Sequence, residues 1–556
     1  MSDPSAEPPA TTPERRSTPP RVSIVRSSAV LAAGTMASRL TGFVRTAVLV
    51  AAIGLGTVGD AYTVSIQLPN VVYELLLGGI LTSVVVPLLV KAQSDDDGGK
   101  AFTDRLLSLA LVLFCAVTAV AVAAAPLITD LYLSDKVTGA KVELTTQLSQ
   151  LSFLAIAFLG MSALLGAVLN AKETFFATGW APVVNNLVVI VIGGVLIALT
   201  TGTDLNSASI SSTVTLLLGL TFPVGVAAQA AILWYAMRRN GYRWRWRLDV
   251  RGSGLGEVGR LAKWMICYVL ISQVGVLVLV NLLSANSGDD RGGPGNAVHQ
   301  NAFLLFMLPH GIVAVSVITA LLPQMSRAAA AGEFAQVANR LNQGNRLSST
   351  VLVPATAAFL ALGVPIAVLV YGHGQAQPGL VTATGWATVA AGIGLVPFAV
   401  SQLQIFAFYA MRDTKTPALV NIAVVAAKVA AYWVAFVVLP PKWTVVGFMM
   451  ANTLSYLVAV ALTAWLLRKR VGRLGTVRIL RTLTRLTVAA TVGGLAGWAV
   501  GYGAQAWLGT SALGSGVAVF AGGAALLAVF GGGAMLMRVS EITEIVGTVR
   551  GRLGSS

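Results

Sequence analysis

Long apolar stretches alternate with short polar connections along almost the whole chain. Fourteen stretches are long enough to cross a hydrocarbon core of about 30 Å. They lie near residues 24–50, 61–90, 106–128, 144–170, 180–200, 211–237, 261–284, 297–325, 347–370, 380–410, 416–439, 443–467, 482–507 and 511–537. Proline interrupts several of them, as at Pro69, Pro309 and Pro397, and there neighbouring helices must re-satisfy the freed backbone groups. Residues 1–26 differ, because six prolines among polar and basic residues leave too little apolar surface to pack. Residues 1–23 read as a disordered arm. No signal-peptide layout precedes the first apolar stretch, which is therefore expected to remain as a membrane span.

Composition strengthens this reading. Of 556 residues, 56% are hydrophobic and 11% charged, and the mean hydropathy is +0.78. A water-facing surface on a chain of this length needs roughly 25% charged residues, so a soluble globular protein is excluded. Cys115 and Cys267 sit in separate apolar runs, which excludes a secreted disulfide framework. No Cys/His cluster has metal-ligand spacing, and neither a metal nor a cofactor is expected.

The net charge of +16 is informative once it is placed on a topology. If connections alternate sides, one face collects 31 of the 38 basic residues, from the N-terminal arm to the tail. The other face holds Lys136, Lys141, Arg291 and Lys442, while Arg39, Arg45 and Lys428 fall inside spans. Such asymmetry fits the positive-inside rule and places both termini in the cytoplasm.

A weak internal repeat divides the chain. Pro69 matches Pro309, and Ala171-Lys172-Glu173-Thr174 matches Met411-Arg412-Asp413-Thr414, both at an offset of 240 residues. Pro126-x5-Tyr132 matches Pro365-x5-Tyr371 at 239. Six spans fit in one period, and an even number leaves both copies in the same orientation. The expected architecture is an all-α polytopic membrane protein of about 14 transmembrane helices, with two six-helix lobes in parallel pseudo-two-fold repeat and two further C-terminal helices. The parts are the arm 1–23, an N-terminal lobe 24–237, a basic and aromatic cytoplasmic linker 238–260 and a C-terminal lobe 261–467. A basic cytoplasmic loop 468–481, two extra helices 482–538 and a cytoplasmic tail 539–556 follow.

Candidate chemistry concentrates in the first two spans. At 100° per residue, Gly34, Thr35, Ser38, Arg39, Thr41, Gly42, Arg45 and Thr46 fall within an arc of about 160°. Small residues on such a face allow close helix packing and arginines can snorkel, but arginines well inside a span by default mark a substrate path or cavity. In the second span, Asp60, Thr63, Gln67, Asn70, Glu74 and Gly78 form an approximate stripe. Asp60 or Glu74 can pair with Arg39 or Arg45 across a cavity, or such pairs can merely fasten two helices. The eighth span opens with His299-Gln300-Asn301 and contains His310; a packing role and a proton relay are both open for the histidines. Lys428, seven residues after Asn421, suits a structural hydrogen bond. Tyr242 to Arg247 interleaves aromatic and basic residues, which on the positive side of a membrane indicates anchoring to anionic lipids and not nucleic-acid stacking. No Walker-type motif or Ser/His/Asp arrangement occurs, so neither an enzyme nor an ATP-driven pump is expected.

Ser38-Arg39-Leu40-Thr41-Gly42-Phe43-Val44-Arg45, Gly59-Asp60-Ala61, Leu68-Pro69-Asn70 and Val86-Pro87 resemble the opening of the MurJ (MviN) family. These are bacterial lipid II flippases of the multidrug/oligosaccharidyl-lipid/polysaccharide exporter superfamily. The similarity continues through Leu169-Asn170, Ala181-Pro182, Leu322-Pro323 and Asp413-Thr414-Lys415-Thr416-Pro417. The resemblance implies a central cationic cavity that faces cytoplasm and periplasm alternately, and a lipid-tail groove on the last two helices. It implies outward movement of an undecaprenyl-diphosphate-linked peptidoglycan precursor across the bacterial inner membrane, and cell-wall synthesis and division proteins as partners. By motif position Arg39 and Arg45 correspond to cavity arginines, and Asp60 and Asn70 to polar family positions. The chain departs from the pattern at Thr46, at Tyr73-Glu74 and at Leu304, where the family has an acidic residue, an Arg-Arg pair and an arginine. Two other functions suit the same fold: a cation-coupled exporter of other lipid-linked oligosaccharides or small amphiphiles, and a non-transporting scaffold. Ser38, Arg39, Arg45, Asp60, Gln67, Asn70, Glu74, His299, Gln300 and Asn301 are the candidate substrate-binding residues, with His310 and Lys428 secondary.

Overall fold

The computed structural model describes residues 21–75, 89, 92, 97–137, 139–172, 174–203, 205–249, 255–472 and 474–539. Most of the arm and tail, Gly78, Val86-Pro87, Lys91 and Glu173 lie outside the described residues, as does the side chain of Tyr73. Among the described residues there is no strand. The first bundle comprises α1 (Arg21–Ile53), α2 (Thr57–Ser65), α3 (Gln67–Leu75), α4 (Lys100–Ala123), α5 (Ala125–Tyr132), α6 (Ala140–Ser152), α7 (Ala155–Ala171), α8 (Phe175–Thr200) and α9 (Ser212–Arg239). A second bundle comprises α10 (Leu255–Asn286), α11 (Asn296–Ala330), α12 (Phe334–Tyr371), α13 (Pro378–Ile393), α14 (Leu395–Ala410), α15 (Lys415–Val438) and α16 (Thr444–Val471). The chain continues through α17 (Thr476–Leu508) and α18 (Ala512–Leu536).

Among the described residues, eleven helical segments are long and apolar enough to span a membrane, or 13 if two bent pairs each count as one span. These segments cover every expected stretch but one, so the expected count of about 14 is neither reached nor contradicted among the described residues. The stretch at 61–90 accounts for the difference: its described part is the two nine-residue helices α2 and α3, and most of the rest lies outside the described residues. Helices also run into expected connections: α1 begins at Arg21 inside the arm, α10 begins at Leu255 inside the linker, and α16 ends at Val471 and α17 begins at Thr476 inside the basic loop.

Proline sets several of the breaks. The gap between α2 and α3 falls at Ile66, that between α4 and α5 at Ala124, and the 50° bend between α13 and α14 at Gly394. Each precedes a proline, Pro69, Pro126 or Pro397, by two or three residues, where the missing N–H and the ring disrupt the preceding turn. Pro309 leaves α11 as one run, although its halves Asn296–Val313 and Ser316–Ala330 are bent by 48°. The Pro-x5-Tyr repeat has a structural counterpart, because α5 ends at Tyr132 and α12 at Tyr371.

Inside the first bundle, α1 lies along α8, α8 along α9, and α7 between α4 and α9. Its apolar core gathers Leu49, Ala52, Tyr62, Leu148, Val189 and Leu218. The second bundle packs α12 on α13 and α11, and α16 on α13, α14 and α15, around Phe306, Tyr371, Tyr432 and Phe448. Helices α17 and α18 pack on each other and chiefly on α12. Gly493, Gly497 and Gly501, one turn apart, put the α17 backbone against Leu526, Gly522 and Ala518 of α18, the close approach that small residues permit in membranes. On the outside, Trp507 is 93% and Leu536 86% exposed, a disposition suited to lipid and not to water.

Candidate functional site

The polar arc of α1 divides between two tasks. Its Gly34 side approaches the backbone of Gly179 so closely that a methyl group would clash. There Asn186 of α8 donates from Nδ2 to Ser38 O at 2.9 Å and to Thr41 Oγ1 at 3.0 Å. The other side is left open: Thr35, Ser38, Arg39, Gly42, Arg45 and Thr46 wall a cavity of about 380 Å³. Thr178 and Pro182 of α8 and Leu304, Met307 and Leu308 of α11 complete it, so it lies at the seam between the bundles. A second cavity of about 150 Å³ shares Arg45, Thr46 and Leu304 with the first and adds Tyr62, Asn70, Gln300 and Asn301. The two are therefore contiguous, with Arg45 at their junction.

No acidic side chain lines either cavity among the described residues. Arg45 Nε is buried without a hydrogen-bond partner, and the Arg39 guanidinium lies against Gly311 of α11, where any side chain would collide with it. A buried guanidinium whose Nε lacks a partner, with a second guanidinium on the same wall, can receive an anion with several acceptor oxygens.

The remaining candidates sit elsewhere. Asp60, 3% exposed, lines neither cavity and does not pair with an arginine. Its Oδ1 accepts from Ala297 N in the first turn of α11 at 2.8 Å, and its Oδ2 pairs with Lys141 Nζ of α6 at 3.2 Å. A carboxylate there meets orphan N–H groups and the positive end of the helix dipole, and Gly295 leaves room for it. Lys141 Nζ also donates to Ser287 Oγ after α10 at 2.9 Å. Glu74 is exposed and accepts from Gln273 Nε2 of α10 at 3.3 Å, and Gln67 is half-buried away from both cavities. His299 is buried and stacks on Phe303, while His310 lies 4.5 Å from the Phe398 ring. Asn301, on the wall of the second cavity, donates to Ala297 O at 2.8 Å. Lys428 Nζ stands 5.8 Å from the Tyr432 ring centroid, and Asn421 bonds Ser272 and the carbonyl of Tyr268.

Among the described residues, a group of hydrogen bonds joins the bundles at the end where α1 terminates. Beyond the Asp60–Lys141 group, Gln375, between α12 and α13, donates from its backbone N to Ala51 O at 2.9 Å. Its side-chain amide caps the carbonyls of Thr200 and Thr203 at the end of α8. Gly374, at φ +61°, touches the Ala51 backbone and cannot carry a side chain there. Asn281 of α10 donates to Leu133 O at 2.9 Å. Sequence reasoning assigned no role to Lys141, Gln375 or Asn186; the one available signal was that Lys141 is among only four cations on its face.

Fold and site together define a polytopic helical membrane protein with a cationic cavity at the seam of two bundles. A family model described as Lipid II flippase MurJ matches residues 49–517, and the chain belongs to that family. It is 28% identical over 479 residues to a probable lipid II flippase MurJ of Rhizobium meliloti (strain 1021), covering 85% of each chain. It is 25% identical to the lipid II flippase MurJ of Burkholderia cenocepacia over 423 residues, 72% of this chain and 76% of the relative. Among solved structures, a lipid II flippase MurJ in an inward closed conformation superposes with a TM-score of 0.71 at 17% identity, over 91% of this chain and 98% of the other. An inward-facing multidrug resistance MATE transporter of the MOP superfamily superposes with a TM-score of 0.64 at 14% identity, over 79% and 96%. Both establish the shared fold.

Proposed function

We propose that this chain is a lipid II flippase of the bacterial inner membrane, moving an undecaprenyl-diphosphate-linked peptidoglycan precursor from the inner to the outer leaflet. The observation that carries this reading is the pair Arg39 and Arg45 on the wall of a cavity between two bundles that has no acid among its described lining residues. A diphosphate supplies the acceptors and countercharge that two guanidinium groups in a membrane need. With both termini cytoplasmic, the end sealed by Asp60, Lys141 and Gln375 faces the periplasm, and the 380 Å³ cavity belongs to the cytoplasmic half. Transport then requires the seal to open as the cytoplasmic half closes, with the lobes rocking about the arginines. The apolar groove of about 710 Å³ between α12, α13, α14 and α17, with Leu360, Val396, Leu495 and Trp498 on its walls, suits the prenyl tail. An ion gradient or the membrane potential drives the cycle, the latter supplying about 2.3 kcal/mol per charge per 100 mV.

One observation favours a second reading, a non-transporting family scaffold: Leu304, where the resemblance expects a cation, lines both cavities. The cation-coupled exporter loses its main support, since Asp60 is committed to Lys141. Replacing a host's essential flippase with this chain and measuring lipid II exposure at the outer leaflet tests the proposal. Growth with normal exposure supports it, and insertion at normal level without exposure favours the scaffold.

A further inference from the structure

Residues 242–249, between the two bundles in sequence, form an extended strap lying across the start of α4. Tyr242 OH donates to Asp104 Oδ1 at 2.6 Å, and the backbone N of Arg245 reaches the same oxygen at 3.2 Å. Trp244 Nε1 and Arg247 N both donate to Ser108 Oγ at 3.1 Å. The far end is tied by Asp249, whose carboxylate pairs with Arg105 at 2.6 Å. Both ends are thus fixed, and the strap is a built surface and not a loose connection.

Extended backbone turns successive side chains to opposite faces. Tyr242 and Trp244 cover α4, but the apolar face continues to Trp246 and Leu248, which are 54% and 50% exposed. Trp246 stands 5.3 Å from Trp244, which meets Trp234 edge-on at 5.7 Å. Between these apolar residues, Arg243, Arg245 and Arg247 are all exposed. Arg243 and Arg245 make no ion pair among the described residues. The strap crosses α4 at its second and third turns, near the end at which the candidate span of residues 100–123 begins. Arginines beside half-exposed tryptophan and leucine at that depth match an interface with phosphate above and acyl chains below.

We infer that the strap 242–249 is a docking surface for anionic phospholipid headgroups, with Arg243, Arg245 and Arg247 on the phosphates and Trp246 and Leu248 at the acyl boundary. This holds whatever the cavity carries, so the test needs no transport. The full chain and the variant Arg243→Gln/Arg245→Gln/Arg247→Gln are purified in detergent, and retention of phosphatidylglycerol and phosphatidylcholine is measured by native mass spectrometry. The strap is held by aromatic side chains and backbone N–H groups, so the variant keeps its fold, checked by its melting temperature. Affinity for the most tightly held phosphatidylglycerol should fall about a hundredfold, with phosphatidylcholine unchanged and no competition by inorganic phosphate. The control Arg481→Gln/Arg485→Gln, at the start of α17, should weaken retention by less than the strap variant. Equal losses in variant and control, unchanged phosphatidylglycerol retention, or strap-dependent binding of an RNA oligonucleotide in place of lipid would each overturn the assignment.

Discussion

The two ends of the seam between the bundles are built on opposite principles. At the end where α1 terminates, charge is neutralised: Asp60, Lys141, Ser287 and Ala297 N satisfy one another, and Gln375 caps carbonyls of α8. In the other half, charge is left open, with Arg39 and Arg45 facing a cavity without an acid among its described lining residues. A satisfied polar cluster holds two surfaces together, whereas an unsatisfied one waits for a ligand. Under the proposed function, the contrast corresponds to closure at one end and recognition at the other.

The largest effect is expected from the open half. Arg39→Ala and Arg45→Ala should each lower flipping by about tenfold or more, roughly 1.4 kcal/mol of lost stabilisation, while membrane insertion stays normal; full complementation by the double mutant would remove the cavity from the mechanism. At the sealed end, Gly56 lies against Gln377. In a chain with Cys115 and Cys267 changed to Ala, bridging Gly56→Cys to Gln377→Cys with a short reducible crosslinker should stop transport until reductant is added. Transport at the normal rate through a quantitative crosslink would show that the seal need not open. Lys141→Met strands a buried carboxylate, a loss of about 3–5 kcal/mol where a buried pair is broken. It should raise the accessibility of a cysteine placed at Gly295 to thiol reagents, and unchanged labelling would mean that Gln375 alone keeps the end shut. Leu304→Arg should tighten retention of a lipid-linked diphosphate by about fivefold if the cavity is its site. The smallest effect is expected for Glu74→Gln, since Glu74 is exposed and accepts a single bond from Gln273; an effect as large as that of Arg39→Ala would place Glu74 inside the recognition half.

The fold was legible because apolar length is written locally: a run of some twenty apolar residues declares a span without reference to any other part of the chain. Breaks were legible for the same reason, since Pro69 and Pro397 act on their own preceding turn. Neighbours on one helix could also be read, as with Arg39, Arg45 and Thr46. Pairing across space could not. The sequence offered the acid of α2 two arginines, Arg39 and Arg45, and only packing decides that Lys141, 81 residues away, receives it. His299 and His310 stood on the repeat's copy of a polar helix, yet aromatic neighbours Phe303 and Phe398 occupy their ring faces.

The glycine-zipped pair α17 and α18 rests chiefly on α12 and is therefore cargo of the second bundle alone. Whatever is fused after residue 539 rides on one half of the molecule, while whatever is fused before residue 21 rides on the other. A donor and an acceptor fluorophore at the two termini would then register the relative displacement of the halves directly, making the chain its own strain gauge in an intact membrane.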